Sequence, residues 1–132
     1  MDAIDKAVLF ALGVGPLRPS QVQAIASSVG HRLDAVGVLA SLHRLVDSGD
    51  VVPGDGITYR RVDRMIADVL RQGDASAPEV AARLALHDLQ VRRQLHAMLR
   101  AGSVARNGGS WRFVTLPLLS DAAACPARTE VG

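Results

Sequence analysis

The sequence predicts a mainly α-helical protein with small β-hairpins, laid out as two tandem copies of one three-helix-plus-hairpin unit. Three observations predict it. The chain repeats itself: residues 42–51, Leu-His-Arg-Leu-Val-Asp-Ser-Gly-Asp-Val, and residues 95–104, Leu-His-Ala-Met-Leu-Arg-Ala-Gly-Ser-Val, match at a shift of 53. In both copies apolar residues recur every three or four positions between Ser, Asp and Gly punctuation, the signature of capped amphipathic helices. Each copy then ends in two short β-prone stretches around a Gly-rich turn. With 132 residues and 48% of them apolar, the chain can form one domain or two very small ones, and a disordered tail protein is excluded. Aromatics are only 3%, so the core is aliphatic.

The first copy opens with a helix for which Asp2 is the expected N-cap and Ile4, Val8 and Leu12 the inward stripe, up to Gly13. Ser20-Gln21-Val22-Gln23 has the form of a capping box and starts a short second helix reaching to about Val29, before Gly30. The third helix runs from about Leu33 to Ser48, with Val38, Leu42 and Leu45 on one face and Gly49 as its stop. Val51-Val52, the turn Pro53-Gly54-Asp55-Gly56, and Ile57 to Arg60 read as a hairpin. In the second copy Asp63 caps a helix carrying Ile66, Val69 and Leu70, and Ser76-Ala77-Pro78-Glu79 is a capping box with Pro in the first turn. Leu89 to Ala101 is the third helix, stopped by Gly102. Val104 to Arg106 and Trp111 to Val114 flank the second turn. Upstream of the strongest match a shift of 56 pairs Ser20 with Ser76, Gln23 with Glu79, His31 with His87 and Leu33 with Leu89, which puts about three extra residues of the first copy between Asp34 and Ser41. The expected boundaries are 1–61, 62–116 and a C-terminal tail, 117–132, that is partly disordered, with Leu116, Leu118 and Leu119 docking on the second copy.

This order of elements resembles the winged helix-turn-helix superfamily, in two tandem copies across residues 1–116. The most specific stretch, Val91-Arg92-Arg93-Gln94-Leu95-His96-Ala97-Met98-Leu99-Arg100-Ala101-Gly102-Ser103-Val104-Ala105-Arg106, is similar to the third helix and wing strand of many bacterial winged-helix regulators. The resemblance implies DNA binding, with the third helix in the major groove and the hairpin wing on phosphate or minor groove. No one family within the superfamily is singled out.

Charge agrees with that implication. The net charge is only +2, but residues 61–116 carry nine Arg against five acids, while residues 1–60 sum to −1. If Val91, Leu95, Met98 and Leu99 face inward, Gln90, Arg92, Arg93, Gln94, His96, Ala97 and Arg100 lie at or near the outer face. Arg can bond guanine with two parallel hydrogen bonds and Gln can do the same to adenine, which suits Arg93 and Gln90 as readers of double-stranded DNA. Arg106 and Arg112 flank the wing turn, where they can meet phosphate and so set affinity rather than sequence preference. The competing reading is a solvated arginine face, since the chain has one Lys against 14 Arg.

The first copy departs from the pattern. Its third helix offers Gly37, Ala40 and Ser41 away from the core, with no long donors, and Asp55 in its turn repels phosphate. Small residues let another helix approach, so these three form an expected interaction face toward the sister domain, a second copy of the chain or a protein partner. Arg32 and Arg44 remain available to hold a phosphate.

Enzymatic readings find no support in the spacing. His31 and His87, and likewise His43 and His96, fall at matched repeat positions, and no pair has the i, i+4 spacing of a helical metal site. His87, just before a helix, suits a local hydrogen bond better than a phosphate contact. Glycines 54, 56, 108 and 109 belong to hairpin turns, not to a phosphate loop. Trp111 can stack a single-stranded base, but as the large aromatic of its copy it is better suited to anchoring the wing. No catalytic residue, metal or cofactor is expected. A lone Cys125 points to a reducing compartment, the apolar run Ala7–Gly15 lacks a basic leader, and no stretch has the ~20 apolar residues of a membrane span. The sequence thus reads as a cytoplasmic, sequence-specific DNA-binding regulator whose second copy is the main reader. The alternative is a tandem winged-helix subunit that grips a protein partner, like the kleisin-binding elements of chromosome-organising complexes, without specific DNA recognition.

Overall fold

A computed structural model of the chain describes residues 3–116; the expectations for Asp2, Leu118, Leu119, Cys125 and the tail lie outside the described residues. The chain divides between Val62 and Asp63 into two compact units. The first contains α1 (Ala3–Leu12), α2 (Pro19–Ser28), α3 (Ala35–Ser48), β1 (Val51–Pro53) and β2 (Tyr59–Arg61). The second is served by α4 (Val62–Arg71), α5 (Ala77–Leu84), α6 (Asp88–Ala101), β3 (Val104–Asn107) and β4 (Ser110–Phe113). The protein is therefore mainly helical with two small antiparallel hairpins, β1–β2 and β3–β4.

Each hairpin is tied to the segment between its unit's first two helices by one isolated antiparallel bridge, Leu17 to Tyr59 in the first unit and Ala75 to Trp111 in the second. In the second bridge the Trp111 N–H donates to the Ala75 carbonyl at 2.8 Å. A minimal third strand thus closes each hairpin onto its helices.

The cores are aliphatic. Val8, Leu12, Val22, Val38, Leu42 and Val51 are fully buried in the first unit, and Ile66, Val80, Val91 and Leu95 in the second. Trp111 is the aromatic exception, at 4% exposure. The inward stripe of α1 is not the expected one: Ile4 is exposed and Asp5 takes its place in the interior. The physical reason lies on α3, where two donors wait. Ser41 Oγ donates to Asp5 Oδ1 at 2.6 Å, and Arg44 Nη2 lies 2.8 Å from the same oxygen. A buried carboxylate survives only when its lone pairs are met in this way.

Asp5→Ala would strip a buried hydroxyl and a guanidinium of their shared acceptor. Arg44 is half exposed and can turn to water, so the cost falls below that of a fully buried pair, at about 2 kcal/mol. Urea denaturation followed by circular dichroism checks this. An Asp5→Ala variant as stable as the wild-type chain would refute it.

Capping explains the helix boundaries. Asp34 caps α3 by accepting from the Gly37 N–H at 2.6 Å. Ser76 and Glu79 form the expected capping box, and hydrogen bonds from the Ser76 backbone N–H and hydroxyl hold the Glu79 carboxyl below its ordinary pKa. Both third helices end on a glycine in the left-handed region, Gly49 at φ 85° and Gly102 at φ 81°. A side chain at either position would be strained.

The expected box at Ser20 and Gln23 is corrected. Helix α2 starts two residues earlier, capped at Arg18 with Pro19 in its first turn, and it is Gln21 that accepts from the Arg18 backbone N–H, at 2.9 Å. Gln23 instead donates to the Leu33 carbonyl at 2.8 Å. Arg18 and Gln21 therefore stand where Ser76 and Glu79 stand, a shift of 58 rather than 56. Asp34 and His87, the two third-helix caps, differ by 53. Five extra residues of the first copy thus lie before Asp34, two in α2 and three in the connection that follows it, not between Asp34 and Ser41. The pairing of His31 with His87 falls with that correction, whereas His43 with His96 stands.

The first hairpin also differs in detail. Its strands pair Val51 with Arg61 and Pro53 with Tyr59 around a 3-10 turn at Asp55–Ile57, so β2 begins two residues later than the sequence suggested. Arg61 is buried, and its Nη1 donates to the Leu9 carbonyl at 3.2 Å. Its charge belongs to the interior of the first unit. Residues 62–116 then hold eight Arg against five acids, a net +3 on the second copy.

Candidate nucleic-acid interface

Helix α6 is fixed at both ends by its own sequence. His87 Nδ1 accepts from the Leu89 N–H at 3.3 Å, the local role expected of that histidine, and Gly102 stops the last turn. Val91, Leu95 and Met98 face the core. At 3.6 residues per turn the opposite side is then occupied by Leu89, Arg93, His96 and Arg100, at i, i+4, i+7 and i+11. All four are exposed.

The remaining expected readers sit on the flanks. Arg92 is exposed but its Nε is 2.9 Å from Asp88 Oδ2, an i, i+4 ion pair that holds the guanidinium along the helix. Gln90 and Gln94 are half-buried and each is already engaged in an interaction. The outward stripe is thus arginine and histidine, with no glutamine on it. Arg93 has no hydrogen-bond or ion-pair partner among the described residues, so its five donors are available to a ligand.

The hairpin beside α6 separates the two arginines assigned to it. Opposed residues of an antiparallel pair share one face of the ribbon. Arg106 pairs with Trp111, and Arg112 pairs with Ala105. Arg106 therefore lies on the Trp111 side, with its guanidinium carbon 5.0 Å from the ring centroid, and Arg112 lies on the other face. The two guanidinium groups expected beside the turn therefore leave the ribbon on opposite faces. His96 meets the same indole edge-on, at 5.5 Å between centroids and 90° between planes. Trp111 thus binds the outer stripe of α6 to the wing and is buried as an anchor, not presented as a stacking platform.

Arg71 was missed by sequence reasoning. It stands in the last turn of α4 with its guanidinium carbon 5.7 Å from the Phe113 ring centroid. The helical pattern alone marks it as an exposed last-turn residue. Only the fold brings it to the hairpin.

The first unit presents a different surface at the same positions. A shift of 53 puts Val36, Ala40, His43 and Asp47 where α6 carries Leu89, Arg93, His96 and Arg100. All four are exposed. The expected face of Gly37, Ala40 and Ser41 does not form one surface. Ser41 points inward and is fully buried on Asp5, and a Cβ on Gly37 would come within 2.8 Å of the Asp34 carboxylate oxygen. Only Ala40 faces out. Arg44, expected to hold a phosphate, is committed to Asp5, because the buried carboxylate lies within reach of its guanidinium. Arg32 is exposed in the connection between α2 and α3.

Among the described residues no group of three or more His, Cys, Asp or Glu is placed to hold a metal ion, and no helix is long and apolar enough to cross a membrane. No protein-family model matches the chain, and no curated protein matches it. Among solved structures it is similar to the mRNA-binding domain of elongation factor SelB from E. coli, determined in complex with SECIS RNA. That likeness covers 86% of this chain and 98% of that one, at 16% identity and a TM-score of 0.37.

Proposed function

We propose that the protein is a tandem winged helix-turn-helix regulator of transcription that binds double-stranded DNA through its second unit, and that it acts in the cytoplasm as a binding protein rather than an enzyme. The observation that carries this reading is the exposed stripe of Arg93, His96 and Arg100 on α6, locked through His96 and Trp111 to a hairpin that bears Arg106. In this reading α6 enters the major groove, Arg93 and Arg100 reach base edges or phosphate, and the hairpin lies on the backbone. Double-stranded RNA is a poor partner for such a helix, since its deep, narrow major groove excludes side chains.

The test is a mobility-shift titration with a random double-stranded DNA pool, an RNA duplex and single-stranded RNA over a range of salt. About four phosphate contacts would weaken DNA binding roughly a hundredfold between about 50 and 200 mM salt. Footprinting on genomic fragments then tests sequence preference. Equal or tighter binding of the RNA probes would overturn the choice of DNA, and absence of binding to all three at low salt would overturn the whole reading.

The protein-gripping alternative is favoured by one observation, the apolar outer face of α3, where Val36 is 75% and Leu39 41% exposed.

A further inference from the structure

We propose that Leu89 reads the C5-methyl group of a thymine beside the guanine that Arg93 reads, so that the preferred duplex carries an A·T pair within about two base pairs of a G·C pair. This rests on the major-groove reading of α6 given above and names the DNA that α6 prefers.

Leu89 is the second residue of α6 and is 62% exposed. Its main chain is tied down, because its N–H donates to His87 Nδ1 at 3.3 Å. It therefore stands at a set place at the N-terminal end of the helix, the end whose side chains reach base edges when a recognition helix enters the groove.

Arg93 follows four residues later, and side chains at i and i+4 sit on one face about 6 Å apart. Successive base pairs are about 3.4 Å apart along the duplex, so two side chains at that spacing meet pairs that are adjacent or one removed. Arg93 is exposed and can offer guanine O6 and N7 two parallel hydrogen bonds. A leucine can offer none. Against most base edges it would displace water from donors and acceptors without replacing the lost hydrogen bonds. The thymine methyl is the apolar group that the major-groove edges present, and leucine gains by covering it.

The charges around Leu89 favour a nucleic acid as its partner. Arg93, His96 and Arg100 continue its stripe, all of them exposed. Asp88, the acid of α6, is neutralised by Arg92 at 2.9 Å. On α3 the matched position is Val36, also apolar and 75% exposed, but one turn later stands Ala40 and the stripe ends on Asp47. Of the two third helices, α6 alone sets an exposed apolar residue one turn from an exposed arginine.

The test starts from duplexes selected out of a random double-stranded DNA pool by the wild-type chain, with affinities read by fluorescence anisotropy. The guanine is the one at which Arg93→Ala relaxes the preference. Replacing each thymine within two base pairs of it by deoxyuridine removes the methyl and leaves the base pair and backbone intact. At one such position wild-type binding should fall about fourfold, the worth of one buried apolar carbon. Leu89→Ala should bind the thymine duplex at least that much more weakly than the wild-type chain and lose nothing further on the exchange. Circular dichroism should show it folded, since the side chain is exposed. Val36→Ala should keep the wild-type affinity and the wild-type penalty. A wild-type chain that binds its selected duplex but is indifferent to every methyl overturns this inference and leaves the major-groove reading standing. A Leu89→Ala variant that retains the full deoxyuridine penalty does the same. A wild-type chain that binds no duplex at low salt overturns both.

Discussion

Arg93→Ala combined with Arg100→Ala is expected to lower affinity for double-stranded DNA between thirtyfold and a thousandfold, with the protein still folded. The two arginines sit at i and i+7 on the outer stripe of α6, so both face the same groove in the proposed geometry. A bidentate arginine–guanine contact is worth about 1–3 kcal/mol, and two such contacts, or one with a phosphate contact, give about 2–4 kcal/mol. If either arginine serves as a phosphate contact, the salt dependence also flattens by about one unit for each lost contact. Arg92→Ala should cost less. Its guanidinium is already bound to Asp88, and reaching DNA would first require breaking that ion pair. Affinity measured by fluorescence anisotropy at fixed salt separates these variants. Unchanged binding in the double variant would remove α6 as the reader, whatever the rest of the molecule does.

Trp111→Ala should destabilise the second unit by about 3–5 kcal/mol, the usual cost of deleting a buried aromatic. This is a large share of the total stability of a small domain, which is about 5–15 kcal/mol. The indole is 4% exposed, meets His96 edge-on and has the Arg106 guanidinium carbon 5.0 Å from its ring centroid. Its backbone also makes the bridge that ties the hairpin to Ala75. Truncation leaves that bridge possible but removes the body that holds α6 against the hairpin. Trp111→Tyr is expected to cost less than Trp111→Ala, since a phenol ring still fills part of the space the indole occupies. Trp111 is the chain's one tryptophan, so thermal unfolding is followed by far-ultraviolet circular dichroism. An alanine variant that melts like the wild-type chain would show that the ring does not anchor the wing.

The helices, their stops and the two hairpins were legible in the sequence because those signals act within a turn or two of chain. Periodic apolar residues, Ser76 with Glu79, and Gly49 and Gly102 each report a local preference that tertiary packing had no reason to override. The matching third helices were legible for the same reason, and they alone imply that Arg93 and Ala40 hold equivalent places. Three other matters depended on distant partners. Asp5 is buried because Ser41 and Arg44 come to it from 36 and 39 residues away, and no periodicity in α1 announces that. Those contacts dissolved the expected face at Ser41 and withdrew Arg44 from phosphate. Arg106 and Arg112 parted company because strand register, not proximity in sequence, decides which face a side chain takes. The offset between the copies differs from the expected one for a related reason: the second helix and the link after it both vary in length, so identical letters there align without being equivalent. Local chemistry thus determined the elements and their order. Burial and register, which require the whole unit to assemble, decided which arginines remain outside.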